Sequence, residues 1–329
     1  MIHFRLFIYL CFGIYLASCS FSADRTSLVP LTVKENSYLP RVLVNVASRD
    51  RFIHVRTFGI PQKPVVFVLH GSYTDSRPYQ NIGVRLSEDF FVVLWDQRGC
   101  GLSERIEEEE FTLDSAVDEI NALKKIYAPD QKLRIIGQSW GGGLATLYTS
   151  RFPENVESLV LIEPLPLTGS DMEKLFDSIV KFDYFNSSWN NMARHGQAIS
   201  FYSHEELDYR AMMILRSTMT SGYHCDPKNP PDWPIHRVGG FLEYVRNKRL
   251  GDSLSGFNYN FTEGLYKYEK KVMILGGSCS SLGYKMQLKY SKRYVRNSEI
   301  IEVRDAGHRM TLEKEEEVLD LIHSFLISD

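Results

Sequence analysis

The run Arg134-Ile135-Ile136-Gly137-Gln138-Ser139-Trp140-Gly141-Gly142-Gly143 constrains this chain more than any other stretch. An Ile-rich segment ends in Gly-x-Ser-x-Gly, and small residues follow through Leu144-Ala145-Thr146-Leu147-Tyr148. That order reads as strand, sharp turn, helix. A serine at such a turn takes a strained backbone conformation that pushes its hydroxyl outward. Gly137 and Gly141 flank it because a side chain at either place would collide with the neighbouring strand or helix. The helix that begins at Trp140 leaves its first N–H groups unpaired, and these can hold a developing negative charge. A bare Gly-x-Ser-x-Gly is a weak pattern. The flanking strand and helix make Ser139 the expected nucleophile.

The rest of the chain alternates between apolar runs and helical segments. Val65–Leu69 and Phe90–Trp95 are continuous apolar runs of the buried-strand type, and Val156–Ile162 is a third. Helices are expected at about Tyr79–Leu86, from a Thr112 or Asp114 cap to about Tyr127, and from Trp140 to about Phe152. A strand pair, Arg41–Val46 with Phe52–Thr57, precedes them, joined by Ser48-Arg49-Asp50. This alternation predicts an α/β fold with a mostly parallel central sheet covered by helices on both faces. It stops between about Gly169 and Tyr268, where the chain is rich in Tyr, Trp, Met and His, with a Pro-rich turn at Pro227 to Pro234. Residues 169–268 are therefore expected to form an inserted helical cap, with 38–168 and 269–329 as the core. The sheet resumes at Val272–Leu275. A helix from Tyr284 to about Tyr294, a strand at Glu299–Val303 and a final amphipathic helix, about Thr311–Leu326, complete it.

The N-terminus reads as a signal. Leu6 to Leu16 is apolar but short for a spanning helix, and Leu16-Ala17-Ser18-Cys19 follows. That tetrad resembles the lipobox of bacterial lipoproteins. It implies cleavage after residue 18, a lipid on Cys19, a polar tether over 19–37 and an exported protein held at a membrane surface on the periplasmic face or cell surface. The alternative is an ordinary signal peptide and a secreted protein. A net charge of −3 and the absence of a long basic stripe argue against nucleic acid as a partner. Of five cysteines, Cys11 would leave with the signal and Cys19 would be acylated. Cys100, Cys225 and Cys279 remain, so the chain is not a disulfide scaffold. A Cys225–Cys279 bridge is possible but does not follow from the sequence.

A serine hydroxyl needs a base. Among nine histidines, His308 stands out, in a Gly-containing loop straight after a late strand and before the last helix. His54 lies in an early strand, His323 is on the last helix, and His195, His204, His224 and His236 fall in the cap. One oxyanion donor is the Trp140 N–H. The other is expected from the loop after Val65–Leu69, with Ser72 first and Tyr73 second, while His70 braces that loop. Asp96 and Arg98 are expected to lock their own loop. Glu205 and Glu206 could meet a substrate ammonium, but a solvated helix face explains both. His224-Cys225-Asp226 with His236 fits no standard zinc spacing, so no metal or cofactor is expected.

Four motifs now stand in order: His70-Gly71, Asp96-Gln97-Arg98-Gly99-Cys100-Gly101-Leu102-Ser103, Gly137-Gln138-Ser139-Trp140-Gly141-Gly142 and Gly307-His308. Together they resemble the α/β-hydrolase superfamily, and in particular its proline iminopeptidase-like branch, over roughly residues 40–329. The resemblance implies the α/β-hydrolase fold and a serine hydrolase that forms an acyl-enzyme on short peptides with an N-terminal proline or other small apolar residue. In that family the catalytic Asp usually stands in a Gly-x-x-Asp turn after the next-to-last strand. Here the turn reads Gly276-Gly277-Ser278-Cys279-Ser280-Ser281, and Ser280 occupies the acid's place. Either the triad is broken or the acid lies elsewhere. Glu163, at the end of the strand after the elbow unit, is the first candidate, as in some members that take their acid from that strand end. Asp305 is the second. Two further readings stay open: a carboxylesterase with the same triad acting on a small-molecule substrate, and a lipid-anchored binding protein with impaired catalysis.

Overall fold

The computed structural model describes residues 29–179, 203–218, 223–252 and 256–328. The signal segment, Cys19, His195 and parts of the expected cap lie outside the described residues. Eight strands form one sheet: β1 (Arg41–Val46), β2 (Arg49–Phe58), β3 (Val65–Leu69), β4 (Phe91–Trp95), β5 (Leu133–Gln138), β6 (Val156–Ile162), β7 (Val272–Gly277) and β8 (Ser298–Val303). Their order across the sheet is β1-β2-β4-β3-β5-β6-β7-β8. The first two strands are antiparallel, and every pairing from β4 to β8 is parallel. The sheet alternates with α1 (Gln80–Leu86), α2 (Leu113–Tyr127) and α3 (Trp140–Arg151), and α7 (Glu315–Ile327) closes the chain.

The apolar runs explain this layering. Every residue of β3 and β4 is buried, as expected of strands covered on both faces. Two apolar clusters lie on the two sides of the sheet. One gathers Phe67, Trp95, Ile135 and Leu144, and the other gathers Val66, Leu94, Ile136 and Ile322. Each such side chain contributes roughly 1.5–3 kcal/mol when fully buried. The strand order also locates the site. β3 leads outward to β4 on one side, and β5 leads to β6 on the other, so the crevice at their carboxyl ends is a topological switch point. Ser139 follows β5 and His70 follows β3.

Three local expectations are corrected. The first hairpin turns on Ala47 and Ser48 (φ 54° and 59°), so Arg49 and Asp50 belong to the second strand. The segment after Tyr284 is one short α-turn, Tyr284–Met286, followed by a π-turn at Gln287–Ser291. Gln287 donates from Nε2 to the Pro164 carbonyl at 2.9 Å, a tertiary bond that the helical pattern does not encode. The last helix is interrupted at Lys314, which separates Met310–Glu313 from α7. Thr112, rather than Asp114, caps α2 through a reciprocal bond pair with Ser115.

Between β6 and β7 the described residues form α4 (Gly169–Ile179), α5 (His204–Thr218), α6 (Gly240–Leu250) and a two-residue hairpin of Gly251–Asp252 with Gly256–Phe257. No helix among the described residues is long and apolar enough to cross a membrane.

Candidate active site

Ser139 sits between β5 and α3 with φ 54° and ψ −117°, a conformation that costs a non-glycine residue roughly 1–3 kcal/mol. The turn can be this tight because its neighbours lack side chains. A Cβ on Gly137 would stand 2.4 Å from the Gly141 carbonyl oxygen, and one on Gly141 would stand 2.3 Å from that of Leu69. The Ser139 N–H donates to Ile162 at 3.0 Å, which ties the turn to β6. The Trp140 N–H has no acceptor among the described residues.

Ser139 and His308 line one cavity of about 150 Å³. Leu165, Met172, Leu175, Phe257 and Leu282 make much of its wall. No hydrogen bond joins Ser139 Oγ to His308, whose ring bonds Glu163 instead. Bonds between nucleophile and base are often long before substrate binds. His308 Nδ1 meets Glu163 Oε2 at 2.5 Å. An ionised carboxylate can only accept there, so Nδ1 carries the proton and Nε2 keeps its lone pair for the cavity side.

Glu163 is fully buried, at the end of β6, with φ 43°. Burying a carboxylate is costly unless its oxygens are satisfied. Here Oε1 accepts the Gly277 N–H at 2.7 Å, and Oε2 accepts the Ser280 hydroxyl at 2.7 Å in addition to His308. Ser280 therefore supports a carboxylate that arrives from another strand. Asp305 is exposed and its backbone N–H donates to Ser278 Oγ, while the His308 ring bonds Glu163.

On the opposite side of Ser139 lies the loop after β3. Ser72 lines the cavity, and its N–H has no acceptor among the described residues. The Tyr73 N–H is already committed to Glu243 Oε1 at 3.1 Å, which leaves Ser72 as the available donor. His70 braces this loop. Burial pushes its pKa down to about 4, so the ring is neutral near pH 7. Its Nδ1 proton goes to the Gly71 carbonyl at 2.8 Å, and Nε2 accepts the Gln97 N–H at 3.0 Å. Gln97 also donates to the His70 carbonyl and accepts the Trp140 indole N–H at 3.0 Å. Asp96 accepts Ser76 and Leu102, Arg98 pairs with buried Glu119 at 2.8 Å, and neither lines the cavity. The Asp-Gln-Arg-Gly motif is thus an internal brace for the two loops that flank Ser139.

Asp75 fastens the same loop to residues 236–237, accepting N–H groups from His236 at 2.5 Å and Arg237 at 3.1 Å. Burial, helped by the nearby Asp96 carboxylate, pushes its pKa up to about 7. The folded protein then holds this proton more tightly than the unfolded chain, where an Asp titrates near 4. Its contribution to stability is full below about pH 4 and is lost as pH rises toward 7. The melting temperature of the parent is expected to fall relative to that of Asp75→Asn between pH 5 and pH 7.5. A constant difference across that range would remove Asp75 as the titrating group.

The structure adds two site residues that sequence reasoning missed. Arg246 on α6 donates to Ser72 Oγ at 2.9 Å and to Glu243 Oε1 at 2.6 Å, and its guanidinium stands 3.9 Å from the Trp140 ring centre. Arg246 and Glu243 are buried and both line the cavity. In sequence they are an ordinary i, i+3 ion pair; a nearby Gly239-Gly240 was the sole hint of close packing. Glu205 pairs with Arg105 and Glu206 with Arg210, and neither lines the cavity. His224 meets Glu313, Cys225 is in a disulfide with Cys279, and Asp226 caps its own turn. No cluster able to hold a metal occurs among the described residues.

Residues 64–314 match the family model described as the alpha/beta hydrolase fold. Among curated proteins, the chain is 28% identical over 201 residues to a proline iminopeptidase of Thermoplasma volcanium, covering 60% of this chain and 63% of that one. It is 26% identical to a proline iminopeptidase of Clostridium botulinum over 279 residues, covering 80% of this chain and 90% of the other. Among solved structures it resembles the crystal structure of VinJ with a TM-score of 0.64 at 18% identity, covering 88% and 98% of the two chains. A proline iminopeptidase from Mycobacterium smegmatis superposes with a TM-score of 0.57 at 15% identity and the same coverage. At these identities the structural likeness speaks for the fold alone.

Proposed function

Because the chain belongs to the α/β-hydrolase fold family and is a hydrolase, we propose that it is a serine hydrolase with Ser139 as nucleophile, His308 as base and Glu163 as acid. The observation that carries this reading is the buried His308–Glu163 bond at 2.5 Å beside a strained serine that opens on the same cavity. Ser139 Oγ attacks a carbonyl carbon while His308 Nε2 takes its proton. Glu163 holds the imidazole tautomer and stabilises the imidazolium. The oxyanion rests on the Trp140 and Ser72 N–H groups. His308 then protonates the leaving group, and a water activated by the same nitrogen releases the acyl group.

For the substrate, we read an aminopeptidase of the proline iminopeptidase type, acting on short peptides with a small apolar N-terminal residue. The curated relatives and the apolar wall support this. Glu243 is the acidic side chain that lines the cavity among the described residues, and on this reading an ammonium would share it with Arg246. The second reading is a carboxylesterase. It is favoured by the same Glu243, which Arg246 already neutralises. Prolyl and alanyl p-nitroanilides with free and acetylated N-termini, run beside p-nitrophenyl esters, separate the two. The peptidase reading expects a preference for the free amine of roughly tenfold or more. Equal rates on acetylated substrates would favour the esterase.

The lipid anchor on Cys19 remains part of the proposal. Its support is the tetrad Leu16-Ala17-Ser18-Cys19 and the Cys225–Cys279 disulfide, which suits an oxidising compartment outside the cytosol.

A further inference from the structure

Residues 223–225 belong to the segment inserted between β6 and β7, yet they are tied at several points to the loop that carries His308. The Tyr223 carbonyl accepts the His308 N–H at 2.6 Å. The Tyr223 ring stands edge-on to the imidazole, with centres 5.2 Å apart. His224 Nδ1 meets one oxygen of Glu313, whose other oxygen accepts the Gly307 N–H. Gly307 is the residue that permits the approach, since a Cβ there would lie 2.1 Å from the Tyr223 oxygen.

Cys225 then closes a disulfide with Cys279 on the loop after β7, with Cα atoms 5.1 Å apart. The Cys279 N–H donates to Ala306 at 3.0 Å, and the next residue, Ser280, donates to Glu163 at 2.7 Å. The covalent link therefore joins the segment that backs the histidine to the loop that backs the glutamate. Individual hydrogen bonds of this kind are weak in net terms. Residues 223–239 form no helix or strand, and the bridge spans 54 residues of sequence. Without it, only the bonds at Tyr223 and His224 seat this segment on the His308 loop, and the chain is next fastened at His236 and Arg237 by Asp75.

We propose that the Cys225–Cys279 disulfide, through the Tyr223–Cys225 clamp, is the positioning element that keeps His308 aligned between Glu163 and Ser139, so that turnover depends on the oxidised pair. The proposal rests on the reading of those three residues as the triad. Cys225 is exposed and Cys279 half-buried, so a reductant can reach the bond, whereas Cys100 is a buried free thiol.

The test uses the full chain and a water-soluble trialkylphosphine. The phosphine becomes its oxide with the oxygen of one water, the S–S bond breaks, and that water's two hydrogens end on the two thiols. Alkylation and peptide mapping report whether Cys225 and Cys279 have opened. Active sites are titrated to completion with a fluorophosphonate, so kcat is expressed per competent serine. The expected result is a folded reduced protein whose kcat falls by roughly ten- to a hundredfold, with KM within about threefold of the parent and full recovery on reoxidation. Cys225→Ser should reproduce the loss without recovery. If that variant does not fold, reduction and reoxidation of the parent decide. Unchanged kcat in a fully reduced, folded protein overturns the proposal. Global unfolding on reduction also overturns it, because the bond would then be a general staple. Labelling of the oxidised parent that survives Ser139→Ala defeats the triad reading itself, and this inference with it.

Discussion

Ser139→Ala is expected to abolish fluorophosphonate labelling and to lower kcat by about 10⁴-fold or more, with the fold intact. The size follows from what is removed. Alanine leaves the Trp140 and Ser72 N–H groups and the apolar wall in place, so substrate binding persists, but no oxygen remains to attack. Alanine at φ 54° carries the same backbone strain as serine, so the melting temperature should scarcely move. Ser139→Gly makes a sharper companion. It loses the nucleophile equally but relieves the positive φ, and relief of about 1 kcal/mol corresponds to roughly 2–4 °C in melting temperature. An inactive glycine variant that melts higher than the parent would tie the strain to the catalytic turn. Labelling or turnover that survived in both variants would remove Ser139 as the nucleophile.

Much of this geometry was legible because it is local. Continuous apolar runs announce strands buried on both faces, and β3 to β6 lie where those runs stand. The elbow was readable because its flanking strand and helix are adjacent in sequence. Glu163 is legible through a departure: the usual acid position holds Ser280, and Glu163 is a carboxylate at the same edge of the sheet. The structure brings Glu163, Ser280 and His308 into one hydrogen-bonded group. What stayed hidden depends on non-local contacts. Arg246 approaches Ser72 across 174 positions of sequence, and nothing in an exposed-looking ion pair reports burial against Trp140. The Tyr223 clamp and the Cys225–Cys279 pairing are equally remote. The break at Lys314 was missed because Glu313–Glu317 is a run of helix-favouring charged residues with no stop signal, and the π-turn after Met286 because no Gly or Pro interrupts Lys285–Tyr294.

Glu163→Gln tests the assignment that departs from the family's usual pattern. The parent carboxylate only accepts, taking Gly277 N–H at one oxygen and both His308 Nδ1–H and Ser280 O–H at the other. Glutamine keeps the shape but must point an NH₂ at one of these places. Facing Gly277, it sets donor against donor in a fully buried position, which costs about 1–3 kcal/mol. Facing His308, it drives the imidazole to the tautomer with the proton on Nε2, where it can no longer accept from Ser139. Either way the imidazolium loses its counter-charge. We expect kcat to fall by about 10²–10⁴-fold with KM little changed, read from turnover per titrated serine. Two comparisons sharpen the result. Ser280→Ala removes one of three donors and leaves the carboxylate, so its effect should stay within roughly tenfold. Asp305→Asn touches neither group and should turn over like the parent. Full activity in Glu163→Gln would mean that the bond to His308 orients a ring needing no counter-charge, and the acid role would pass from Glu163. Loss in Glu163→Gln alone would mean that this chain relocated its acid to the end of β6 and kept a hydroxyl at the usual position to hold it.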